Sequence, residues 1–219
     1  MMKILITGGA GFIGSHLTDC LLSKGYSVMV IDNYSTGVAA NLKNHNRLQI
    51  MEGTIVDSEF IKMVFRNFKP DKVIHAAASF KDPNAWEEDV NTNIIGSINI
   101  VNACKKFKVK RLIYFQTGLC YGLAPLELPI ELNHPLFNNN DRKGTSYAIS
   151  KTVGEQYINL SDLDFISFRL TNIIGPRNLS GPIPNFYNRL SEGKSVLIAD
   201  TRRDFVYVSD LVVVVLKAI

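Results

Sequence analysis

The sequence predicts an α/β fold built on a doubly wound parallel sheet. Two observations support this prediction. Short apolar runs rich in β-branched residues alternate with longer segments whose apolar residues recur at helical spacing. The chain has 219 residues, of which 46% are hydrophobic and 20% charged, so it can bury a sizeable core. Alternating strands and helices imply parallel βαβ units, whose right-handed crossovers place helices on both faces of the sheet.

Each element has its own signal in the chain. Strands are predicted at residues 3–7, 27–31, 47–51, 72–75, 111–115 and 165–169. Helices are predicted at residues 11–24, 58–68, 86–107 and 146–159. Residues 123–140, rich in Pro and Asn, predict a loop. A Gly/Pro-rich stretch at residues 175–184 indicates departure from the sheet, so we predict a main domain over residues 1–170 and a small partial lobe over residues 171–219.

Charge and cysteine content exclude several classes of function. The net charge of +4 is mild and no basic cluster contains interleaved aromatic residues, so no nucleic-acid partner is expected. The apolar run at residues 211–216 is too short to span a bilayer, and no membrane partner is expected. Cys20, Cys104 and Cys120 lie far apart and lack metal-ligand spacing. They predict free thiols in a reducing cytoplasm and no bound metal.

A glycine-rich turn directly follows the first predicted strand. Gly9, Gly11 and Gly14 satisfy G-x-G-x-x-G, and Gly8 gives the related G-x-x-G-x-x-G spacing. Glycine lets a pyrophosphate approach the backbone, and the following helix N-terminus offers free N–H groups. Asp32 ends the next strand, where a carboxylate accepts hydrogen bonds from the adenosine ribose. No arginine follows Asp32, so the sequence predicts NAD rather than NADP as cofactor.

A tyrosine and a lysine form a Y-x-x-x-K pair on the predicted helix at residues 146–159. Positions i and i+4 share a helix face, which brings the Lys151 ammonium near the Tyr147 phenol. A free tyrosine has a pKa of about 10, and we expect Lys151 and a cationic nicotinamide to favour the phenolate. Such pairs are common on surfaces, but Thr117 lies just past the fifth strand, at the edge where this fold binds ligands. We predict Thr117, Tyr147 and Lys151 as the catalytic set.

Together these motifs resemble the extended short-chain dehydrogenase/reductase family, in its nucleotide-sugar epimerase/dehydratase branch with a Rossmann-type fold. Residues 7–14 resemble the family's cofactor turn, and Ile31-Asp32-Asn33 its ribose site. His75-Ala76-Ala77-Ala78 is similar to the segment along the cofactor, and Asn93 opens a family N-x-x-G motif. The resemblance implies these cofactor contacts: Gly8, Gly11, Phe12, Ile13, Gly14, Asp32, Asn33, Ile55, Ala76, Ala77, Asn93, Tyr147 and Lys151.

Two later motifs resemble those that hold the substrate in this family. Residues 168–172 resemble the stretch whose Asn contacts the nucleotide phosphates, and residues 203–210 resemble an R-D-F motif whose Arg binds the diphosphate. The resemblance therefore implies a nucleotide-diphosphate sugar partner, bound by Asn172, Arg203 and Thr117. It also implies a homodimer that pairs the helices at residues 86–107 and 146–159.

The resemblance implies a 4-epimerase similar to those acting on UDP-glucose or UDP-N-acetylglucosamine, working through a transient keto-sugar in polysaccharide precursor synthesis. Alternatives are a nucleotide-sugar 4-keto reductase or dehydratase, and a non-catalytic NAD-binding homologue. Dehydratases and decarboxylases of the family carry an acid after the catalytic Thr, where this chain has Gly118 and Leu119. These two residues argue against both activities.

Three departures from the family pattern stand out. The run Gly53-Thr54-Ile55 lacks the aspartate that meets the adenine, although Asp57 is a candidate replacement. Residues 80–84 differ from the usual epimerase loop. Relatives continue beyond the R-D-F motif, which leaves open a fragment, a disrupted gene or a short natural form. The apolar face of Leu211, Val214, Val215 and Ile219 then needs a partner, unless the last helix packs on the sheet.

Overall fold

The computed structural model describes residues 1–80, 82–122, 125–136, 145–198 and 202–219. Its centre is a parallel sheet of six strands in the order β3-β2-β1-β4-β5-β6. The strands are β1 (Lys3–Thr7), β2 (Ser27–Asp32), β3 (Leu48–Glu52), β4 (Lys72–His75), β5 (Arg111–Thr117) and β6 (Phe165–Leu170). The order reverses between β1 and β4, as in a Rossmann-type doubly wound sheet, which confirms the predicted fold.

Helices cover both faces of this sheet. The described helices are α1 (Phe12–Ser23), α2 (Ser58–Phe68), α3 (Trp86–Asp89), α4 (Ser97–Lys106), α5 (Ser146–Asn159), α6 (Pro182–Ser191) and α7 (Val208–Ala218). Of these, α6 buries no residue and lies outside the cover of the sheet. The single helix predicted at residues 86–107 is interrupted by a π-helical stretch, Val90–Gly96, between α3 and α4. That stretch carries Asn93, whose side chain bonds to Ser79 and Ser150. Such wide turns are frequent next to functional sites.

The core has two halves because successive side chains of a strand point to opposite faces of the sheet. Ile4 and Ile6 of β1 join the half that packs on α1 and α7. Leu5 joins the half that packs on α2 and α4, together with Phe65 and Tyr114. This double burial holds the carboxyl ends of β1, β4 and β5 in fixed positions at one edge, where the predicted site residues lie.

The residues after β6 form a small lobe and then return to the main domain. Strands β7 (Asn172–Ile174) and β8 (Phe205–Tyr207) pair in parallel, and α6 lies between them in sequence. Helix α7 packs on α1 and buries Leu211 and Val215, whereas Val214 is half-exposed. The last helix therefore packs on the main domain, so Leu211 and Val215 are already covered without a partner.

One further prediction meets the structure only in part. Of the loop predicted at residues 123–140, the structure describes residues 125–136, which form turns, and the others lie outside the described residues. Within the described residues, no helix combines the length and the apolar character that crossing a membrane requires.

Candidate functional site

A cleft with a volume of about 560 Å³ opens at the carboxyl ends of the strands. This edge, next to the switch point between β1 and β4, is where doubly wound sheets bind ligands. The volume lies within the range typical of small-molecule sites. The glycine turn and the loop after β7 both line the cleft.

The glycine turn has the geometry that its sequence predicts. Gly8 has a φ of +69°, and a Cβ there would stand 2.8 Å from the Ala77 backbone. A Cβ at Gly14 would collide with the Gly8 carbonyl oxygen. In the described structure no side chain caps the N-terminus of α1, which follows Gly11. Its first N–H groups therefore face the cleft and fit a pyrophosphate.

Asp32 is held rigidly at the end of β2. Its Oδ2 accepts a hydrogen bond from the Ala10 N–H at 2.8 Å, and its Oδ1 accepts one from the Tyr34 N–H at 2.8 Å. A Cβ at Gly37 would come within 2.7 Å of Oδ1, so glycine leaves room for the carboxylate. Asp32 lines the cleft, where its remaining lone pairs suit ribose hydroxyls and its charge opposes a 2′-phosphate. These residues fit NAD.

The three predicted catalytic residues meet in the same cleft. Thr117 is the last residue of β5, and its Oγ1 accepts a hydrogen bond from the Leu119 N–H at 3.2 Å. Tyr147 lies in the first turn of α5, which the Thr145 hydroxyl caps by accepting from the Ala148 N–H at 3.1 Å. Lys151 follows one turn later, only 2% exposed, with its Nζ 4.0 Å from the centre of the Tyr114 ring.

Burial dominates the electrostatics of this set. It raises the pKa of Tyr147 to about 12, assisted by the negative charge of Asp89 and opposed by a hydrogen bond with Thr117. Burial also lowers the pKa of Lys151 to about 7, which the Glu155 carboxylate opposes. Without bound cofactor, Lys151 therefore does not lower the pKa of Tyr147 as expected. Desolvation disfavours both the Tyr147 phenolate and the Lys151 ammonium. The cationic nicotinamide of bound NAD adds a positive charge that favours the phenolate.

Most of the predicted contacts line the cleft. The cleft includes Gly8, Gly11, Phe12, Ile13, Gly14, Asp32, Asn33, Ile55, Ala76, Ala77, Thr117, Tyr147, Lys151 and Asn172. Asn93 is not among the described lining residues. Its side-chain amide is buried and forms hydrogen bonds with Ser79 and Ser150. Arg203 lines an adjoining hollow that shares a wall with the cleft at residues 179–183.

Two residues considered from the sequence have structural roles. Asp57 caps α2 through its Oδ1, which accepts hydrogen bonds from the Glu59 and Phe60 N–H groups at 3.0 Å, and Asp57 is not among the described residues that line the cleft. His75 is buried between the Thr7 hydroxyl at 2.7 Å and the Ser97 hydroxyl at 3.0 Å. Burial lowers the pKa of His75 to about 3, which keeps its ring neutral.

Sequence reasoning missed several residues of the site. The loop after β2 adds Thr36, Val38 and Asn41 to the lining, and their position after a strand end was the available signal. Phe80 also lines the cleft, with its ring centre 6.3 Å from that of Tyr147. Glu155, on the buried face of the catalytic helix α5, was missed although it continues the four-residue spacing of Tyr147 and Lys151.

Comparisons with known proteins agree with this geometry. The model of the NAD-dependent epimerase/dehydratase family matches residues 4–219. The chain is 31% identical to the UDP-glucose 4-epimerase of Mycolicibacterium smegmatis, over 96% of this chain and 71% of that protein.

Two solved structures from Bordetella bronchiseptica superimpose closely. The enzyme WbmH in complex with NAD⁺ gives a TM-score of 0.94 at 47% identity, covering 100% of this chain and 71% of that one. The enzyme WbmG in complex with NAD and UDP gives a TM-score of 0.90 at 45% identity, covering 98% and 67%. With the glycine turn, Asp32 and the catalytic set in one cleft, the chain belongs to the NAD-dependent epimerase/dehydratase family and is an NAD-dependent enzyme.

Proposed function

We propose that the protein is an NAD-dependent nucleotide-sugar 4-epimerase that acts on a UDP-sugar. The observation that carries this proposal is the meeting of Thr117, Tyr147 and Lys151 in the cleft of the glycine turn, with no acid at the two positions after Thr117. Support for UDP comes from the relatives, one named as a UDP-glucose 4-epimerase and one solved with UDP.

The catalytic side chains divide the work between proton transfer and orientation. NAD held by the glycine turn and Asp32 would supply the hydride acceptor and donor for this chemistry. The Tyr147 phenolate takes the proton of the C4 hydroxyl, and the resulting phenol returns it to the C4 oxygen after the keto-sugar has rotated in the cleft. The Thr117 hydroxyl holds the same sugar oxygen. In the complex, the charged form of Lys151 would bind the nicotinamide ribose and, together with the nicotinamide, would favour the Tyr147 phenolate.

Dehydration and decarboxylation fit this cleft less well. Both reactions need an acid or base beside the reacting carbons. Gly118 and Leu119 supply neither. A Cβ at Gly118 would stand 3.2 Å from the Leu170 carbonyl oxygen, so a larger side chain there would be crowded.

The substrate diphosphate is assigned to the wall formed by the second lobe. Asn172 lines the cleft, and its Nδ2 donates to the Asp204 carbonyl oxygen at 3.1 Å. This bond ties the start of β7 to the residue that precedes β8. Arg203 lies next to that residue in the adjoining hollow, within reach of a ligand that crosses the shared wall. We assign both residues to the diphosphate. Within the substrate lobe predicted at residues 171–219, we assign this role to β7, α6 and β8, whereas α7 packs on the main domain.

Cofactor handling tests the proposal directly. The purified enzyme is incubated with a panel of UDP- and dTDP-sugars without reductant, and the products are separated and identified by NMR. A C4 epimer formed without net NADH consumption supports the epimerase. Turnover only when NADH is added and consumed would identify a reductase. Absence of turnover across the panel, with NAD retained, would support a non-catalytic homologue.

We also propose that the protein is a homodimer in the cytoplasm. The helical face of α3, the π-helical stretch and α5 exposes Trp86, Val90, Ile95, Ile149 and Tyr157, each at least 40% exposed. Free cysteines among the described residues support a reducing compartment.

The oligomeric state tests the dimer. Light scattering after gel filtration should give twice the chain mass. Tyr157→Glu should shift it to the monomer, whereas Leu190→Glu on α6, away from this face, should not.

A further inference from the structure

An ion pair with a buried carboxylate joins the catalytic helix α5 to β6. Glu155 is 2% exposed and follows Lys151 by one turn of α5 and Tyr147 by two. Its carboxylate accepts hydrogen bonds from Arg169 on β6, with Nε–Oε1 at 3.3 Å and Nη2–Oε2 at 3.2 Å. A buried carboxylate must be paired in this way, because it has lost its water.

Two neutral side chains complete the shell of this carboxylate. The Ser167 hydroxyl of β6 donates to Oε1. The Gln116 amide of β5 donates to Oε2 at 3.3 Å, and its carbonyl oxygen accepts from the Thr117 N–H at 2.8 Å. Glu155 thus joins α5 to two strands, and through Gln116 it reaches the backbone of the catalytic threonine.

We propose that Glu155 is a positioning residue, which anchors α5 to β5 and β6 so that Tyr147 and Lys151 face Thr117, and which places a carboxylate one helical turn from Lys151. This inference rests on the proposed function for its effect on turnover, but its electrostatic part concerns the enzyme without substrate.

The surroundings of Lys151 explain why a carboxylate is needed. Tyr114 on β5 and His75 on β4 pack near its amine and are both neutral at pH 7. Tyr147 on the same helix is also neutral in the chain by itself. Burial without a negative partner would drive the amine to its neutral form, and Glu155 opposes this.

Two charged neighbours shape the effect of Glu155. The positive charge of Arg169, which is paired with the Glu155 carboxylate, offsets part of the effect of that carboxylate on Lys151. Asp89 on α3 acts on Tyr147. The Arg169 Nη1 also donates to the Tyr121 hydroxyl at 3.1 Å, so its guanidinium is fixed on two sides. The positions of Glu155 and Arg169 are therefore set together.

The test follows the titration of Lys151 by NMR of lysines labelled with ¹³C at Cε, with the signal assigned by Lys151→Arg. Glu155→Gln should lower the titration midpoint by about one pH unit, because it removes a nearby opposite charge. A merely structural role would loosen the packing, let water reach the amine and raise the midpoint instead. An unchanged or raised midpoint would therefore overturn the inference.

Controls separate charge from folding. Glu192→Gln removes an exposed carboxylate on another element and should leave the Lys151 midpoint unchanged. Glu155→Asp keeps the negative charge, but its shorter side chain places the carboxylate farther from Arg169. The titration midpoint of Lys151 should stay near the wild-type value, whereas kcat should fall and KM should stay unchanged. If Glu155→Gln does not fold, the Lys151 titration in Glu155→Asp tests the inference instead. A Lys151 midpoint higher than in the wild type would then overturn it.

The titration needs no substrate and is readable even if the proposed function fails. If the wild-type enzyme epimerises a UDP-sugar, the alkaline limb of its pH–rate profile should move to lower pH in Glu155→Gln, by the shift seen for Lys151. An inactive wild type with the expected NMR shift would refute the proposed function alone.

Discussion

Replacing Tyr147 with phenylalanine removes one oxygen atom from the centre of the cleft. The ring keeps its contact with Phe80, whose centre lies 6.3 Å away, and what is lost is the hydrogen bond with Thr117. A single hydrogen bond contributes about 1 kcal/mol to stability, so the variant should fold and bind NAD. A positioned proton-transfer group contributes about 10² to 10⁴ in rate, which corresponds to about 3 to 5 kcal/mol.

The size of the effect also follows from the pKa of Tyr147. The gap between a pKa of about 12 and pH 7 corresponds to about 7 kcal/mol, which bound NAD and Lys151 must offset before the phenolate can act. Below the pKa that Tyr147 has in the complex, kcat of the wild type should therefore rise with pH.

The assay compares kcat for UDP-sugar epimerisation with NAD affinity measured by fluorescence. Tyr147→Phe should lower kcat at least a hundredfold and leave the dissociation constant of NAD within about threefold. Tyr187→Phe, on the exposed α6, is the matched control and should behave as wild type. Turnover of Tyr147→Phe within tenfold of wild type would refute the assignment of Tyr147 as the proton-transfer group.

Three further changes test the cofactor site and the core. Asp32→Ser should weaken NAD binding and reduce discrimination against NADP, measured by titrating both cofactors; unchanged selectivity would contradict its role at the ribose. Leu211→Ala in α7 should lower the free energy of unfolding by about 2 to 5 kcal/mol in urea titrations, whereas exposed Val213→Ala should cost far less. Burial lowers the pKa of His75 to about 3 in the native state. Between about pH 6.5 and pH 3, the His75 ring is therefore protonated in the unfolded chain but neutral in the native one. Stability should fall from pH 6.5 towards pH 3 by up to about 1.4 kcal/mol per pH unit, and His75→Asn should flatten this slope.

The sequence predicted what local pattern determines. The elements at residues 3–7, 72–75 and 146–159 have the predicted bounds. Their bounds were predictable because buried strands and helices each give a characteristic pattern of apolar residues along consecutive positions. The glycine turn and Asp32 were predictable for the same reason, since their chemistry depends on position relative to strand ends.

What the sequence did not predict depends on contacts between distant segments. The pairing of Glu155 with Arg169 joins α5 to β6, and neither residue has a local signal that names its partner. The packing of α7 on α1 likewise brings Leu211 beside residues almost 200 positions earlier. Asn93 is a different case, because its motif was recognised from the sequence but the hydrogen bonds of its amide to Ser79 and Ser150 were not. Its cofactor contact stays a prediction. The rise in the pKa of Tyr147 came from burial, which spacing alone does not report.

The central claim is that this cleft inverts a sugar carbon without net oxidation or reduction. The most direct measurement is proton NMR of UDP-glucose incubated with the purified enzyme and no added reductant, followed to equilibrium. The proposed function predicts UDP-galactose signals appearing while the sum of the two sugars stays constant and no free NADH accumulates. A product that forms only as NADH is consumed, or a stable keto-sugar as the end product, would contradict it.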